Sequence, residues 1–339
     1  MPIKMGHFEF ADGGGLICGF TLEPTGPAQP LQWDRLREGS TENSIWPFDK
    51  PVWLHFNLAD TRATQWIATC VAIPQDARDL LLDIDAHIRS EIFDDGFALV
   101  IADLHHDFND DPEGLGVLRV YVNHHCVITG RRHPLKAVDQ LRRSMMAGLE
   151  VPTTIELLGH LIQDLGEIIH SVIKNISDTV DDAEDEILAG RVQERGAELG
   201  RLRRLLARLR RHMNAGRAAL AHCVASLRRH VEREDMTRLH QSVERLDGVA
   251  QDLELAQERA RLLQEEIAAQ LGEATNRNLY ILSLMTTALL PINLITGVFG
   301  MNTGGLPWAT EPSGFSRAVI CMLIGVAVSL GILHWRKIL

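Results

Sequence analysis

From Tyr280 to Phe299 the chain runs through YILSLMTTALLPINLITGVF without one charged side chain. At about 1.5 Å per residue, a helix of that length reaches the ~30 Å of a bilayer's hydrocarbon core. A second apolar run, Ala318 to Leu333, follows closely and is succeeded by Arg336 and Lys337. Together they predict a short membrane hairpin at the C-terminal end. Composition conceals it, because 339 residues with 23% charged side chains and a formal net charge of -11 read as an acidic soluble enzyme. Averages dilute a membrane span.

The length allows about two soluble units besides the hairpin. The opening MPIKMGHFEFADGGG has no apolar core of signal-peptide length, so everything before Tyr280 is expected in the cytosol. Cys18, Cys70, Cys126, Cys223 and Cys321 are scattered, with no Cys-x-x-Cys. That pattern fits a reducing compartment and argues against a zinc ribbon or a disulfide framework.

Residues 1–152 predict a cytosolic α+β domain. Strand-like runs at Val52–Phe56, Ala98–Leu104, Val117–Val122 and Val127–Ile128 are separated by Gly, Asp and Asn turns. Pro74 to Ile84 reads as a helix with Leu80, Leu81 and Ile84 on one side. Gly13-Gly14-Gly15 lacks a following Lys-Ser/Thr and a preceding strand, so it reads as a turn and not a phosphate loop. With no nucleophile elbow or kinase motif either, no catalytic residue is assigned and the chain does not read as an enzyme.

Two histidine pairs carry possible metal chemistry. His105-His106, flanked by Asp103 and Asp107, and His124-His125 offer imidazole and carboxylate donors. Neighbours on a strand point to opposite faces, so each pair gives one ligand per face and builds no site alone. A surface or structural role is the competing reading.

Residues 153–276 predict long cytosolic helices. Leu158, Leu161, Leu165, Ile168, Val172, Ile176, Thr179, Ala183 and Ile187 recur three and four apart, forming one apolar stripe that ends at Gly190. A second helix starts near Val192, and a third near Asp235 runs unbroken into the membrane as far as Phe299. That last helix would measure roughly 100 Å. Acidic residues from Asp178 to Glu186 precede Gly190, and arginines from Arg195 to Arg211 follow it. An antiparallel fold-back about Gly190 would set Asp178 opposite roughly Arg203, giving a solvated ion-pair face. The surplus carboxylates could instead concentrate cations near a pore mouth. His55, His105, Asp178, Asp182 and Asp185 are therefore the candidate cytosolic cation sites. Nucleic acid is not an expected partner, since no aromatic residues interleave with the arginines.

Arg277 precedes the first span (277–300) and Arg336 with Lys337, in a tail 336–339, follow the second (317–335). The external loop, 301–316, has no basic residue. Both termini are therefore expected in the cytosol. Two helices cannot enclose a water-filled path, so conduction needs several copies, each lending one helix. Projected at 100° per residue, Asn276, Ser283, Thr286, Leu290, Asn293, Gly297 and Gly300 share roughly a third of the first span's circumference. These polar residues line a pore or merely join helices. Pro291 is expected to kink the helix and free the carbonyl of Thr287.

Gly300-Met301-Asn302 at the outer end of the first span, Pro291 before it, and the long preceding stalk resemble the CorA-type divalent cation transporters. The loop Thr303-Gly304-Gly305-Leu306-Pro307-Trp308, with Pro51-Val52-Trp53-Leu54-His55 and Arg210-Arg211-His212-Met213, is more similar to the ZntB zinc transporter branch of that family. The resemblance implies a homopentamer in a bacterial inner membrane, with an αβα domain and a helical funnel in the cytosol. It implies that Asn302 forms a ring of amide oxygens meeting the cation through its hydration water. Asn276, Leu282, Thr286, Leu290, Asn293 and Gly297 would line the path below. Magnesium transporters of this family usually carry Met-Pro-Glu-Leu in the loop; here that Glu is absent and Glu311 lies farther along. The departure favours zinc as cargo over magnesium; a magnesium, cobalt or nickel channel of the same family is the alternative, and no covalently bound cofactor is expected. A membrane-tethered coiled-coil scaffold is the reading from another class. Proton coupling would have to bypass the spans, because neither holds an ionisable group on a pore face.

Overall fold

The structure is a computed structural model that describes residues 15–31, 48–107, 114–188, 196–227, 233–301, 307–308 and 312–335. Gly190, Val192, Arg195, Arg336 and Lys337 lie outside the described residues. The chain divides into two compact units, Met1–Gln264 and Glu265–Leu339.

The first unit is built on a seven-stranded sheet. Its strands are β1 (Leu16–Thr21), β2 (Gln29–Pro30), β3 (Val52–Asn57), β4 (Arg89–Ile92), β5 (Gly96–Leu104), β6 (Leu115–Asn123) and β7 (Cys126–Arg131), in the order β2-β1-β3-β7-β6-β5-β4. Only β3 and β7 pair in parallel; the remaining pairings are antiparallel. Val52 to Phe56 are all buried, as befits a central strand with both faces covered. Helices α1 (Thr61–Thr69) and α2 (Gln75–Leu82) cover one face, packing Ala63, Ile67, Ala77, Leu80 and Leu81 against Val52, Leu54, Val100, Tyr121 and Ile128. Helices α3 (Lys136–Met146), α4 (Thr154–Leu188) and α5 (Gly196–Leu227) lie against the other. The unit is thus a mixed sheet between helical layers, the α+β class read from the strand-like runs.

The second sheet face holds a buried polar chain. Arg131 Nε donates to His55 Nε2 at 3.1 Å, which makes Nδ1 the protonated nitrogen, 2.8 Å from Thr129 Oγ1. Trp53 Nε1 also donates to that hydroxyl at 2.9 Å, and Thr129 donates on to the Leu54 carbonyl at 3.3 Å. Burial, followed by the charge of Arg131, brings His55 down to about 3. Both nitrogens are occupied and the ring is neutral. His55, expected as a cation site, is instead a structural link between β3 and β7.

Helix α3 escapes recognition in the sequence because its own N-cap, Leu135, supplies no side-chain cap. Asp103 on β5 supplies it from a distance, accepting from Ala137 N at 3.0 Å and Val138 N at 3.4 Å. Helix α1 is capped locally, with Asp60 accepting from Arg62 N at 2.9 Å. Along α4, Leu158, Leu161, Leu165, Val172, Ile176, Ala183 and Ile187 are buried as the stripe predicts. The charge pairing differs. Asp181 and Glu184 pair with Arg259 of α6 (Arg233–Phe299), while Arg203 donates to Gln264 and Arg210 to Gln257 of the same helix. Members of both blocks therefore also meet a third helix, which offers Arg259 to the acidic block and Glu254, Gln257 and Gln264 to the arginines.

Helix α6 spans 67 residues without a break through Pro291. It starts two residues before the expected Asp235 and ends at the expected Phe299. The second unit holds its C-terminal part and α7 (Gly314–Trp335). Both helices are long and apolar enough to cross a membrane, and their apolar windows are almost wholly uncovered.

Replacing Thr129 by Val leaves the Trp53 and His55 donors unpaired and should cost about 2 kcal/mol. Urea unfolding followed by tryptophan fluorescence checks it, with Thr129→Ser close to wild type. Burial also pushes the Asp103 carboxyl up to about 7 from an ordinary 3.8, so the folded state holds this proton more tightly than the unfolded chain. Asp103's contribution is accordingly most favourable below pH 4 and is lost as pH rises through about 7. An Asp103→Asn variant should show a flatter fall of stability between pH 4 and 7.

Candidate functional site

In the second unit, half-covered positions on α6 recur at Leu284, Thr287, Ala288, Pro291, Ile292, Ile295 and Phe299. Their spacing of three and four defines one stripe. On α7 the covered and half-covered positions Gly314, Ala318, Cys321, Met322, Gly325, Val326 and Ser329 follow the same rule. The stripes meet where a Cβ on Gly325 would come within 3.1 Å of Pro291 Cβ. Glycine allows the helices to approach at the residue that interrupts α6's hydrogen bonding.

The predicted lining residues occupy the opposite side. Asn276, Leu282, Thr286, Leu290, Asn293 and Gly297 are all exposed, and at about 100° per residue their mean direction lies about 180° from the α7-facing stripe. Ser283 and the unpredicted Leu279 share this bare face. Its polar groups do not bond to α7: Thr286 Oγ1 donates to its own helix at Leu282 O, 2.8 Å away. Thr296 behaves likewise, donating to Ile292 O at 2.8 Å. With their protons directed at the backbone, the hydroxyls keep only lone pairs for whatever faces them. Cys321 lies on the α6-facing side of α7, away from the bare face.

Gly300 N donates to Thr296 O at 2.8 Å and Met301 N to Val298 O at 3.3 Å, closing α6. Asn302 and Glu311 lie outside the described residues. Between them, Trp308 adopts φ 60 and its ring stands 5.7 Å from the Arg317 guanidinium. Gly314 is required there, since a Cβ would sit 2.3 Å from the Trp308 carbonyl oxygen. Arg317 falls in the first turn of α7, one residue past the loop whose lack of basic residues set the expected orientation.

The candidate cation sites of the first unit remain separate. His105 stands against His133, ring centroids 5.3 Å apart. Burial, and then the neighbouring His133, lower its pKa, which keeps the imidazole a neutral donor. His133 was not singled out because it is remote in sequence; its position straight after β7 was the available signal. Asp178, Asp182 and Asp185 are exposed on α4. Among the described residues, no three His, Cys, Asp or Glu side chains gather in a manner that could hold a metal ion.

The bare face makes a specific claim about two adjacent residues. Asn293→Leu should slow ion flux through reconstituted protein several-fold, whereas Ile292→Leu, on the α7-facing stripe, should leave it unchanged. Equal behaviour of the two variants would make the polar residues helix joints.

Comparison with known proteins follows the same line. The profile of a family described as CorA-like Mg2+ transporter protein matches residues 48–337. The zinc transport protein ZntB of Pectobacterium carotovorum subsp. carotovorum is 26% identical over 324 residues, covering 95% of this chain and 98% of the relative. The divalent cation transporter CmaX of Pseudomonas aeruginosa is 29% identical over 325 residues, 95% of each chain. The solved full-length CmaX structure superposes with a TM-score of 0.78 at 27% identity, covering 97% of this chain and 100% of that one.

Proposed function

This chain belongs to the CorA-like Mg2+ transporter family, and on that premise we propose that it carries divalent metal cations, zinc foremost, across a bacterial inner membrane. The observation that carries the reading is the bare, polar-interrupted face of α6 directly opposite the stripe facing α7. Other copies of the chain cover that face, and five of them enclose the path. Residues 1–152 and 153–276 form the cytosolic part, 277–300 line the pore, 317–335 surround it, and 301–316 face outward.

Asn302 presents its amide to the hydrated cation at the outer mouth, with Gly300 and Met301 shaping the turn; Asn276, Leu282, Thr286, Leu290, Asn293 and Gly297 line the way in. Amide and hydroxyl oxygens suit an ion that keeps its water, whereas a dehydrated zinc ion calls for nitrogen or sulfur. Arg277, Arg336 and Lys337 at the inner ends outnumber Arg317 at the outer, which supports cytosolic termini. An inside-negative potential then favours entry by ~4.6 kcal/mol per 100 mV for a divalent ion. His105, Asp178, Asp182 and Asp185 act on the cytosolic side, as cation or proton acceptors outside the membrane.

Zinc uptake into proteoliposomes, with potential and pH gradient imposed independently, tests the reading. Uptake should follow the potential, and Asn302→Ala should abolish it while the oligomer stays assembled. Wild-type flux in that variant removes Asn302 from the site. Zinc accumulation driven by a pH gradient at zero potential, with no zinc gradient, replaces the channel by a proton-coupled carrier.

A further inference from the structure

Four strands place a basic row on the sheet face that carries α1 and α2. Arg89 on β4 pairs with Val100 on β5, Val100 with Arg119 on β6, and Arg119 with Gly130 on β7. Arg132, two residues beyond Gly130 in the bend that follows β7, is the cation that acts most strongly on Arg119. Three guanidiniums thus share one patch beneath the C-terminal end of α2.

Their partners are unevenly distributed. Arg89 gathers the carboxylates: Asp83 at 2.6 Å, with Asp85 and Glu91 each at 3.8 Å. Arg119, only 1% exposed, spends Nη2 on the Asp85 carbonyl at 2.9 Å. Its buried Nε and Nη1 have no partner among the described residues, and neither has the buried Nε of Arg132. Arg132 otherwise makes two long bonds of 3.4 Å, to the carbonyls of Leu58 and Leu82. Among the described residues, no carboxylate hydrogen-bonds to either arginine. Burial, and next the nearby Arg132, lower the pKa of Arg119, outweighing the opposing pull of the Asp83 and Asp85 carboxylates. Buried guanidinium donors left without partners beside a second cation are costly unless a negative group lies near them.

We propose that Arg119 and Arg132 bind a single halide-sized anion of the chloride class beneath the end of α2. An oxyanion would prefer the two-pronged Nε/Nη2 edge of a guanidinium, but Nη2 of Arg119 is committed to the Asp85 carbonyl. A monatomic anion needs no such edge and accepts from Nη1 of one arginine and Nε of the other. Gly130 leaves the sheet without a side chain beside Arg119, and a Cβ there would already reach 2.8 Å from Leu58. The space is accordingly narrow. The anion ties β6, the exit of β7 and the loop after α2 together, on the sheet face opposite α3, α4 and α5. It is a fixed counter-ion of the first unit, unrelated to the cation path on α6.

The test uses the purified full-length chain in sodium chloride and in sodium gluconate at equal ionic strength. The wild-type unfolding midpoint should be higher in chloride by about 3 °C or more and should saturate with concentration. Arg119→Met and Arg132→Gln should lose the chloride-specific rise. If Arg119→Met fails to fold, the half-exposed Arg132→Gln carries the comparison alone. Crystals soaked in bromide should show an anomalous peak between the two guanidiniums. Equal midpoints in both salts, an undiminished chloride effect in Arg132→Gln, or a water without bromide at that place would overturn the proposal.

Discussion

Inside hydrocarbon a backbone amide or carbonyl has no water to bond, so a chain entering it must satisfy every polar group from within. The second unit meets this demand by keeping α6 continuous through Pro291 and by turning the Thr286 and Thr296 hydroxyls onto their own helix. The proline still releases the Thr287 carbonyl. Thr287 lies on the half-covered stripe, where Gly325 brings α7 close. Two helices can protect each other on one side only. The side left over on α6 bears Ser283 and Asn293, which lipid solvates poorly, so the demand that shapes the hairpin is also a demand for further copies.

The first unit answers the opposite problem of fixing long helices in water. Its sheet is buried on both faces, and the two faces use polar groups differently. One holds the closed chain of Arg131, His55, Thr129 and Trp53; the other holds the arginine row. Asp103 links sheet to helix by capping α3, and α3 is linked in turn to α4 by Gln140 donating to Asp164 at 2.8 Å. Burial pushes that carboxyl too upward, to about 6. The helices therefore inherit their placement from named polar contacts as well as from the apolar stripe.

What could be read in advance follows from range. The extent of α6, the buried stripe of α4 and the central strands depend on periodicity within one segment, and these were legible. So was the shared exposed face of Thr286, Leu290 and Asn293, which need only a helical projection to be placed together. Helix α3 was not legible, because its cap is Asp103, more than thirty residues upstream. His55 looked like a ligand for the same reason: its partners Thr129 and Arg131 arrive through strand pairing that no local pattern encodes. Arg259, the partner of Asp181, was not foreseen, because it lies two helices on. The arginine row was invisible, since Arg89, Arg119 and Arg132 become neighbours only through register.

The orientation of one hydroxyl has a consequence for the sign of charge that the bare face accepts. Thr286 spends its proton on Leu282 O, so a solute beside it meets electron density and no donor. A carboxylate at that position would also favour cations, but by a full charge that could trap a divalent ion. A back-bonded threonine repels anions weakly and can accept hydrogen bonds from the water around a cation, an interaction weak enough to be released.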